Sequence, residues 1–149
     1  MNFEIRKYEE SDQSSVLLVW ERSVLATHHF LARKDFDAIK SLVEQMHLGS
    51  LNLHCLVIEN KIIGFISIIE RKIEMLFLDP GYIGKGLGQE LLRFALRKHR
   101  ACMVDVNEQN AQAVRFYKKS GFVVSERSAK DDFGFNYPLL KLHLQQPEN

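Results

Sequence analysis

The 149 residues are enough for one compact domain, and 46% hydrophobic against 26% charged side chains is enough to build a core beneath a soluble surface. A formal net charge of +1 provides no global field to draw in nucleic acid or a membrane, and leaves only a local basic patch open. No apolar run reaches the roughly 18 residues of a membrane span. The polar opening MNFEIRKYEE does not read as a secretory signal, so a cytoplasmic protein is expected.

Residues 2–8 alternate apolar and polar side chains, with Phe3 and Ile5 on one face, which predicts a short strand. Ser11 and Asp12 are candidate caps for a helix that carries Val16, Leu17, Trp20 and Val24 at helical spacing and runs to about His28. A second helix is expected over residues 34–47, with Phe36, Ile39, Leu42, Val43 and Met46 as its stripe and Gly49 as its stop. From Leu51 the period changes. Residues 53–58 and 62–69 read as strands joined by Glu59-Asn60-Lys61, and residues 73–78 as a third strand ended by Asp79-Pro80-Gly81.

Residues 87–98 form an amphipathic helix with a basic C-terminal end, Arg97 to Arg100, which suits the helix dipole. A strand over 101–106, a helix over 110–120 stopped by Gly121, and strands over 122–127 and 137–143 close the chain around a polar loop, 130–136. Residues 145–149 are polar and expected to fray. Cys55 and Cys102 lie in apolar runs and read as reduced core thiols rather than a disulfide. The whole chain, 1–149, reads as one α/β domain, a mixed sheet flanked by helices, with neither internal repeats nor a linker.

The strand–turn–helix passage from Met75 to Glu90 carries the most chemical information. Gly84, Gly86 and Gly88 leave backbone N–H groups unobstructed at a helix N-terminus, and Lys85 adds positive charge. A diphosphate-bearing cofactor suits such a turn. The nucleotide-triphosphate loop is excluded, because Lys85 is followed by Gly86 rather than by Ser or Thr. The dinucleotide fingerprint is excluded too, because the spacing is G-x-G-x-G and the turn follows the fourth strand. The bland alternative is a turn that merely packs helix on sheet, at the entropic cost of three alternating glycines.

Asp79-Pro80-Gly81-Tyr82-Ile83-Gly84-Lys85-Gly86-Leu87-Gly88 resembles the acetyl-CoA signature of the GNAT superfamily of N-acetyltransferases. Asn110-x-x-Ala113-x-x-Phe116-Tyr117-x-Lys119-x-Gly121-Phe122 resembles its second signature, and the element order agrees along the chain. Within the superfamily, Trp20-x-x-Ser23-x-x-x-Ala26-Thr27-His28-x-Phe30-Leu31 and Tyr137-Pro138-Leu139-Leu140 resemble the small YjaB-like bacterial acetyltransferases. The resemblance implies the GNAT fold: a mostly antiparallel seven-stranded sheet, splayed between strands four and five, with about four helices. It implies acetyl-CoA as cosubstrate, held by Phe77 and Leu78 on the strand, by Ile83, Gly84, Lys85, Gly86, Leu87, Gly88 and Gln89 on the turn, and by Asn110 and Tyr117 from the opposite side. Ile83 departs from the pattern, which favours Arg or Gln there, so backbone donors and Lys85 must carry the pyrophosphate.

The same resemblance implies direct attack of an amine on the thioester, with Tyr117 as general acid for the departing thiolate. The bland reading of Tyr117 is a core aromatic. An amine of pKa about 10.4 must lose a proton to attack, and Glu74, aligned by strand parity with Leu76 and Leu78, is the leading base. Its rivals are His28 and His29. Trp20, Thr27, His28 and Phe30 are the candidate acceptor pocket, although by periodicity Trp20 reads equally as core. No metal is expected, since no cysteine or carboxylate cluster accompanies His28-His29. A small-molecule or peptide amine is the expected partner, without membrane or nucleic acid, for a monomer or a homodimer. The acceptor stays open among peptide N-termini, protein lysines, polyamines, amino acids and aminoglycosides. Two further alternatives are a module that holds CoA without catalysis and a toxin that acetylates aminoacyl-tRNA through the basic cluster Arg97 to Arg100.

Overall fold

The computed structural model describes residues 2–145; of the stretch expected to fray, 145–149, residues 146–149 lie outside the described residues, and the Gln145 N–H donates to the Gly121 carbonyl at 2.9 Å. The chain divides into two compact units, Met1–Ala101 and Cys102–Asn149. Among the described residues there are seven strands and four α-helices.

The first unit holds an antiparallel four-stranded sheet in the order β1 (Glu4–Lys7), β2 (Leu53–Ile58), β3 (Lys61–Ile69) and β4 (Lys72–Leu78). Two tight two-residue turns build it. Glu59 and Asn60 link β2 to β3 with φ of 50° and 64°, and Glu70 and Arg71 link β3 to β4 with φ of 49° and 69°. Positive φ at both central residues is the turn whose twist matches a hairpin. Lys61 therefore belongs to the strand rather than to the turn. Arg71 Nε donates to the Arg100 carbonyl at 2.9 Å, tying the second turn to the end of the third helix.

One face of this sheet is covered by α1 (Gln13–Thr27) and α2 (Arg33–Glu44), whose Val16, Val19, Trp20, Val24, Phe36 and Val43 join Leu53, Cys55 and Phe65 in a single core. Trp20 stacks on Phe36 with ring centroids 5.8 Å apart. Cys55 is fully enclosed, and burial pushes its thiol up to about 12, so it is an inert core residue. The third helix, α3 (Leu87–His99), buries Leu87, Leu91, Leu92 and Ala95.

Several local expectations give way. The second helix stops at Glu44, and Gly49 sits in a separate 3-10 turn, Leu48–Ser50, rather than capping the helix. Asp12 is buried, and its carboxylate accepts two hydrogen bonds from the Arg6 guanidinium, at 2.8 and 3.0 Å, and one from the Glu9 N–H. It therefore serves β1 and a 3-10 turn, Glu10–Asp12, and makes no side-chain cap to α1. Phe3 is exposed rather than core-facing.

The second unit holds β5 (Met103–Asn107), α4 (Ala111–Lys119), β6 (Phe122–Ser128) and β7 (Leu139–Leu144), with β7 between β5 and β6 and both ladders antiparallel. Val104, Val106, Tyr117, Phe122, Leu139, Leu140 and Leu142 are buried in it. Gly121 takes φ of 98° after α4, the left-handed stop its position predicts. Cys102 is half-buried ahead of β5, and both cysteines are free thiols.

Candidate active site

The turn after β4 is built on Asp79. Its N–H donates to the Ile63 carbonyl at 2.7 Å, continuing the β3–β4 ladder. Its carboxylate accepts from the Gly81 N–H at 3.0 Å, capping a single 3-10 turn, Pro80–Tyr82. The same carboxylate accepts from Arg22 on α1, with Nε at 2.7 Å and Nη2 at 3.4 Å. Asp79 is buried and Arg22 is half exposed. Burial works to raise the Asp79 pKa, but the donors Arg22 and Gly81 outweigh it and hold the carboxyl below its ordinary value.

Beyond this cap, Gly84 and Gly86 adopt φ of 83° and 80°, and a Cβ added at either would meet nothing within 4 Å. Gly86 is the N-cap of α3, and no side chain caps that helix. The first-turn N–H groups of a helix have no partner inside it, so this end presents donors and the positive end of the dipole to an open face. That arrangement fits a diphosphate. Lys85 lies over the Tyr82 ring, with Nζ 5.9 Å from the centroid. Ile83, in the place where the family favours Arg or Gln, is exposed.

On β4, Phe77 and Leu78 pair with Phe65 and Gly64. Because the Asp79 N–H points into β3, strand alternation turns the backbone groups of Phe77 toward β3 and those of Leu78 away from it. Glu74 sits differently from expectation. Ser67 pairs with Met75 and Ile68 with Ile73, so Glu74 is the extra residue of a β-bulge. The bulge breaks the parity count: Ile73, not Glu74, takes the next position on the face of Leu76 and Leu78. Glu74 is exposed, with its carboxylate 4.0 Å from Lys72 Nζ.

At the end of α1, the Thr27 hydroxyl donates to the Ser23 carbonyl at 2.8 Å and lies 2.8 Å from His28 Nδ1. A hydroxyl has one proton to give, so Thr27 Oγ1 receives the His28 Nδ1–H and the lone pair of the imidazole is on Nε2. Burial, with a smaller contribution from His29, lowers the His28 pKa to about 4, so the ring is neutral at physiological pH. Phe30 packs beside it at 5.2 Å between centroids, and His29 is exposed. Trp20, in contrast, is 5% exposed and stacked in the core. That corrects its assignment to an acceptor pocket, because the period that places it on α1 turns it inward.

In the second unit, Asn110 is the N-cap of α4, and its Oδ1 accepts from the Ala113 N–H at 3.2 Å. The oxygen expected to face a cofactor is thus engaged in holding the helix. Tyr117 is buried between Phe116 and Phe122, with edge-on ring contacts at 5.0 and 5.5 Å. Burial raises its hydroxyl pKa further above the ordinary 10, so it is a protonated phenol. Among the described residues no group of three or more His, Cys, Asp or Glu side chains is placed to hold a metal ion. No described helix is long and apolar enough to cross a membrane. Arg22 and the Ser23–Thr27–His28 relay went unread in the sequence. Arg22 meets Asp79 across 57 residues, a separation local spacing does not reveal.

A glycine turn feeding an uncapped helix is a ready anion site, of the kind a diphosphate-bearing cofactor occupies. The family model described as "Acetyltransferase (GNAT) domain" matches residues 11–136. A protein of Salmonella typhimurium named Peptidyl-lysine N-acetyltransferase YjaB is 36% identical over 95% of this chain and 98% of its own length. The Escherichia coli protein of the same name is 38% identical over 95% of this chain and 97% of its own. The solution structure of apo-form YjaB from Escherichia coli superposes with a TM-score of 0.88 at 38% identity, covering 96% of this chain and 97% of that one. The chain belongs to the GNAT family of acetyltransferases, YjaB-like among them. It has the α/β fold of that family, and acetyl-CoA-dependent N-acetyl transfer is its chemistry.

Proposed function

We propose that this protein acetylates the ε-amine of lysine in a peptide or protein, acting as one catalytic domain over residues 1–149 in a bacterial cytoplasm. The observation that carries the acceptor class is similarity along 95% of the chain to two bacterial proteins named for peptidyl-lysine acetylation. The single-domain reading is supported by the family match, which runs across the division after Ala101.

In this reading the turn from Gly84 to Gln89, with Lys85, holds the pyrophosphate, and Leu78, whose backbone groups are directed away from β3, meets the pantetheine arm. Acetyl-CoA supplies an activated acyl carbon when bound. The Leu78 N–H, directed away from β3, donates to the carbonyl oxygen as charge develops there. The lysine nitrogen forms the new C–N bond, the C–S bond breaks, and Tyr117 donates its proton to the departing sulfur.

His28 receives the amine's proton. Moving a proton from a free ammonium of pKa about 10.4 to an imidazole near 4 is uphill by about 9 kcal/mol. His28 therefore acts on the minority neutral amine, taking its proton through Nε2 as the C–N bond forms. Thr27 fixes the ring, and Phe30 packs against it. Glu74, on its bulge, supplies negative charge that attracts a cationic acceptor.

The test uses the full chain, acetyl-CoA and two peptides, one with a blocked N-terminus and a single lysine, the other with a free N-terminus and none. Thiol release and the mass gain of one acetyl group in place of one amine hydrogen, on the lysine peptide alone, are expected. Acetylation of the N-terminus alone would overturn the acceptor assignment.

A further inference from the structure

Asp79 stands where the strand ends, the turn begins and α1 is touched. Three donors converge on its nearly enclosed carboxylate: the Gly81 N–H at 3.0 Å and the Arg22 Nε and Nη2 at 2.7 and 3.4 Å. Its N–H is pinned to the Ile63 carbonyl at 2.7 Å, and its carbonyl accepts from the Tyr82 N–H at 2.9 Å. Only the Arg22 contact comes from outside the β3–β4 ladder and the turn itself. Gly84 and Gly86 follow within a few residues, and a Cβ added at either would meet no packed neighbour within 4 Å. The direction in which the turn leaves β4 therefore depends on the Asp79 carboxylate, and that carboxylate is oriented by α1.

A bidentate guanidinium on a buried carboxylate fixes angle as well as distance. Without Arg22, Asp79 would be left enclosed with one backbone donor, a state that favours protonation or rotation toward solvent. Either change removes an acceptor from the Gly81 N–H and loosens the cap. Arg22 is itself half exposed, so its loss opens no cavity in the core. It also lies on the same helix as Ser23 and Thr27, the helix that His28 ends.

We propose that Arg22 is a positioning residue for the pyrophosphate turn: through Asp79 it locks the turn to α1, so that the cofactor loop and the histidine end of α1 are held as one body. This rests on the turn being the coenzyme A site. Arg22 touches neither substrate, and its effect falls on donor affinity rather than on the chemical step.

The test is calorimetric titration of the full chain with coenzyme A, for wild type, Arg22→Gln, Arg22→Lys and Asp79→Asn, together with steady-state kinetics. Arg22→Gln is expected to weaken coenzyme A binding about tenfold and to raise the KM for acetyl-CoA in parallel, with kcat at saturating donor changed by less than about threefold. Arg22→Lys recovers part of the loss, because it restores the charge without the fork. The double variant Arg22→Gln/Asp79→Asn binds no worse than Asp79→Asn alone, since the two residues act as a unit. Amide hydrogen exchange of the folded variants is an independent readout: exchange at residues 81–86 rises in Arg22→Gln, while that in β6 and β7 stays at the wild-type rate. Arg22→Gln binding coenzyme A as tightly as wild type, with unchanged exchange at 81–86, would overturn the proposal. Failure of the wild type to bind coenzyme A would instead overturn the assignment of the turn.

Discussion

The glycine turn before α3 and the histidine end of α1 belong to the same half of the chain and are made of opposite materials. The turn offers backbone: two left-handed glycines, an uncapped helix and an open face. The end of α1 offers side chains, an imidazole fixed by a threonine hydroxyl that is fixed in turn by a carbonyl one helical turn back. Backbone recognition is carried by conformation, so it is sensitive to which residue can adopt the conformation and indifferent to side-chain chemistry. Side-chain recognition is the reverse. Tyr117 belongs with the histidine end by this measure, because the part proposed for it depends on one hydroxyl, whereas its edge-on contacts with Phe116 and Phe122 are made by the ring.

The largest expected effect follows from that difference. Tyr117→Phe keeps both edge-on ring contacts and removes only the proton donor. It should lower kcat about 100-fold or more, within the range general acids contribute, with coenzyme A affinity within a fewfold of wild type by calorimetry. A kcat within threefold of wild type would remove Tyr117 from the chemistry. Gly86→Val probes the opposite material. At φ of 80° with open space around the α-carbon, the cost is conformational rather than steric. A β-branched residue is an outlier there, so coenzyme A affinity should fall roughly 30-fold or more while the far-UV spectrum is kept. Gly86→Asn, which tolerates the left-handed region, should lose much less. Equal losses for Val and Asn would mean that the added side chain obstructs the ligand and the backbone reading is wrong.

Those two regions also differ in how far they could be read from the chain. Gly84, Gly86 and Asn110 to Phe122 are legible because their conformations are local: a positive φ, a helix start, a helix stop. The strands β2 to β4 are legible for the same reason, as apolar runs broken by two short polar turns. What was hidden is set by pairing across distance. The bulge at Glu74 follows from how β4 registers on β3, and no count along β4 alone reveals it. Trp20 fits an acceptor wall and a core equally by period, and only the approach of Phe36 decides for the core. Asp12 has the chemistry of a helix cap and is taken instead by Arg6. Asn110 is in its expected place, but its oxygen is taken up in capping α4, accepting from the Ala113 N–H.

Thr27→Val tests the side-chain region directly. It removes the hydroxyl that receives the His28 Nδ1–H and leaves a side chain of nearly the same shape. The fall in kcat/KM for a lysine peptide should be about tenfold, with donor affinity unchanged. Nitrogen NMR should show His28 passing from one tautomer, protonated on Nδ1, to a mixture. In wild type, log kcat/KM for the peptide should rise by about one unit per pH unit from 6 to 9, following the neutral fraction of an amine of pKa about 10.4. A step centred near 6.5 would mean that His28 titrates as an ordinary exposed histidine and that its burial has been misread.

The smallest effect is on stability, and its sign is fixed by the same burial. His28 has a folded pKa of about 4 against 6.5 unfolded. Above 6.5 both states are neutral there and the full stability is present. As pH falls from 6.5 to 4 the unfolded chain takes up a proton that the folded chain refuses, so stability is lost across that window, by at most about 3 kcal/mol. Asp12 and Asp79, both held below their ordinary values by arginine partners, act lower, losing their contribution only as pH drops below about 4. The two windows can be separated by urea denaturation at pH 7, 5 and 3.5. His28→Gln should flatten the pH 7 to 5 difference and leave the steeper loss below 4 in place, whereas Arg22→Gln should do the opposite. If His28→Gln leaves the pH 7 to 5 slope intact, the imidazole is already solvated in the folded protein, and the histidine end of α1 is a surface feature rather than the counterpart of the turn.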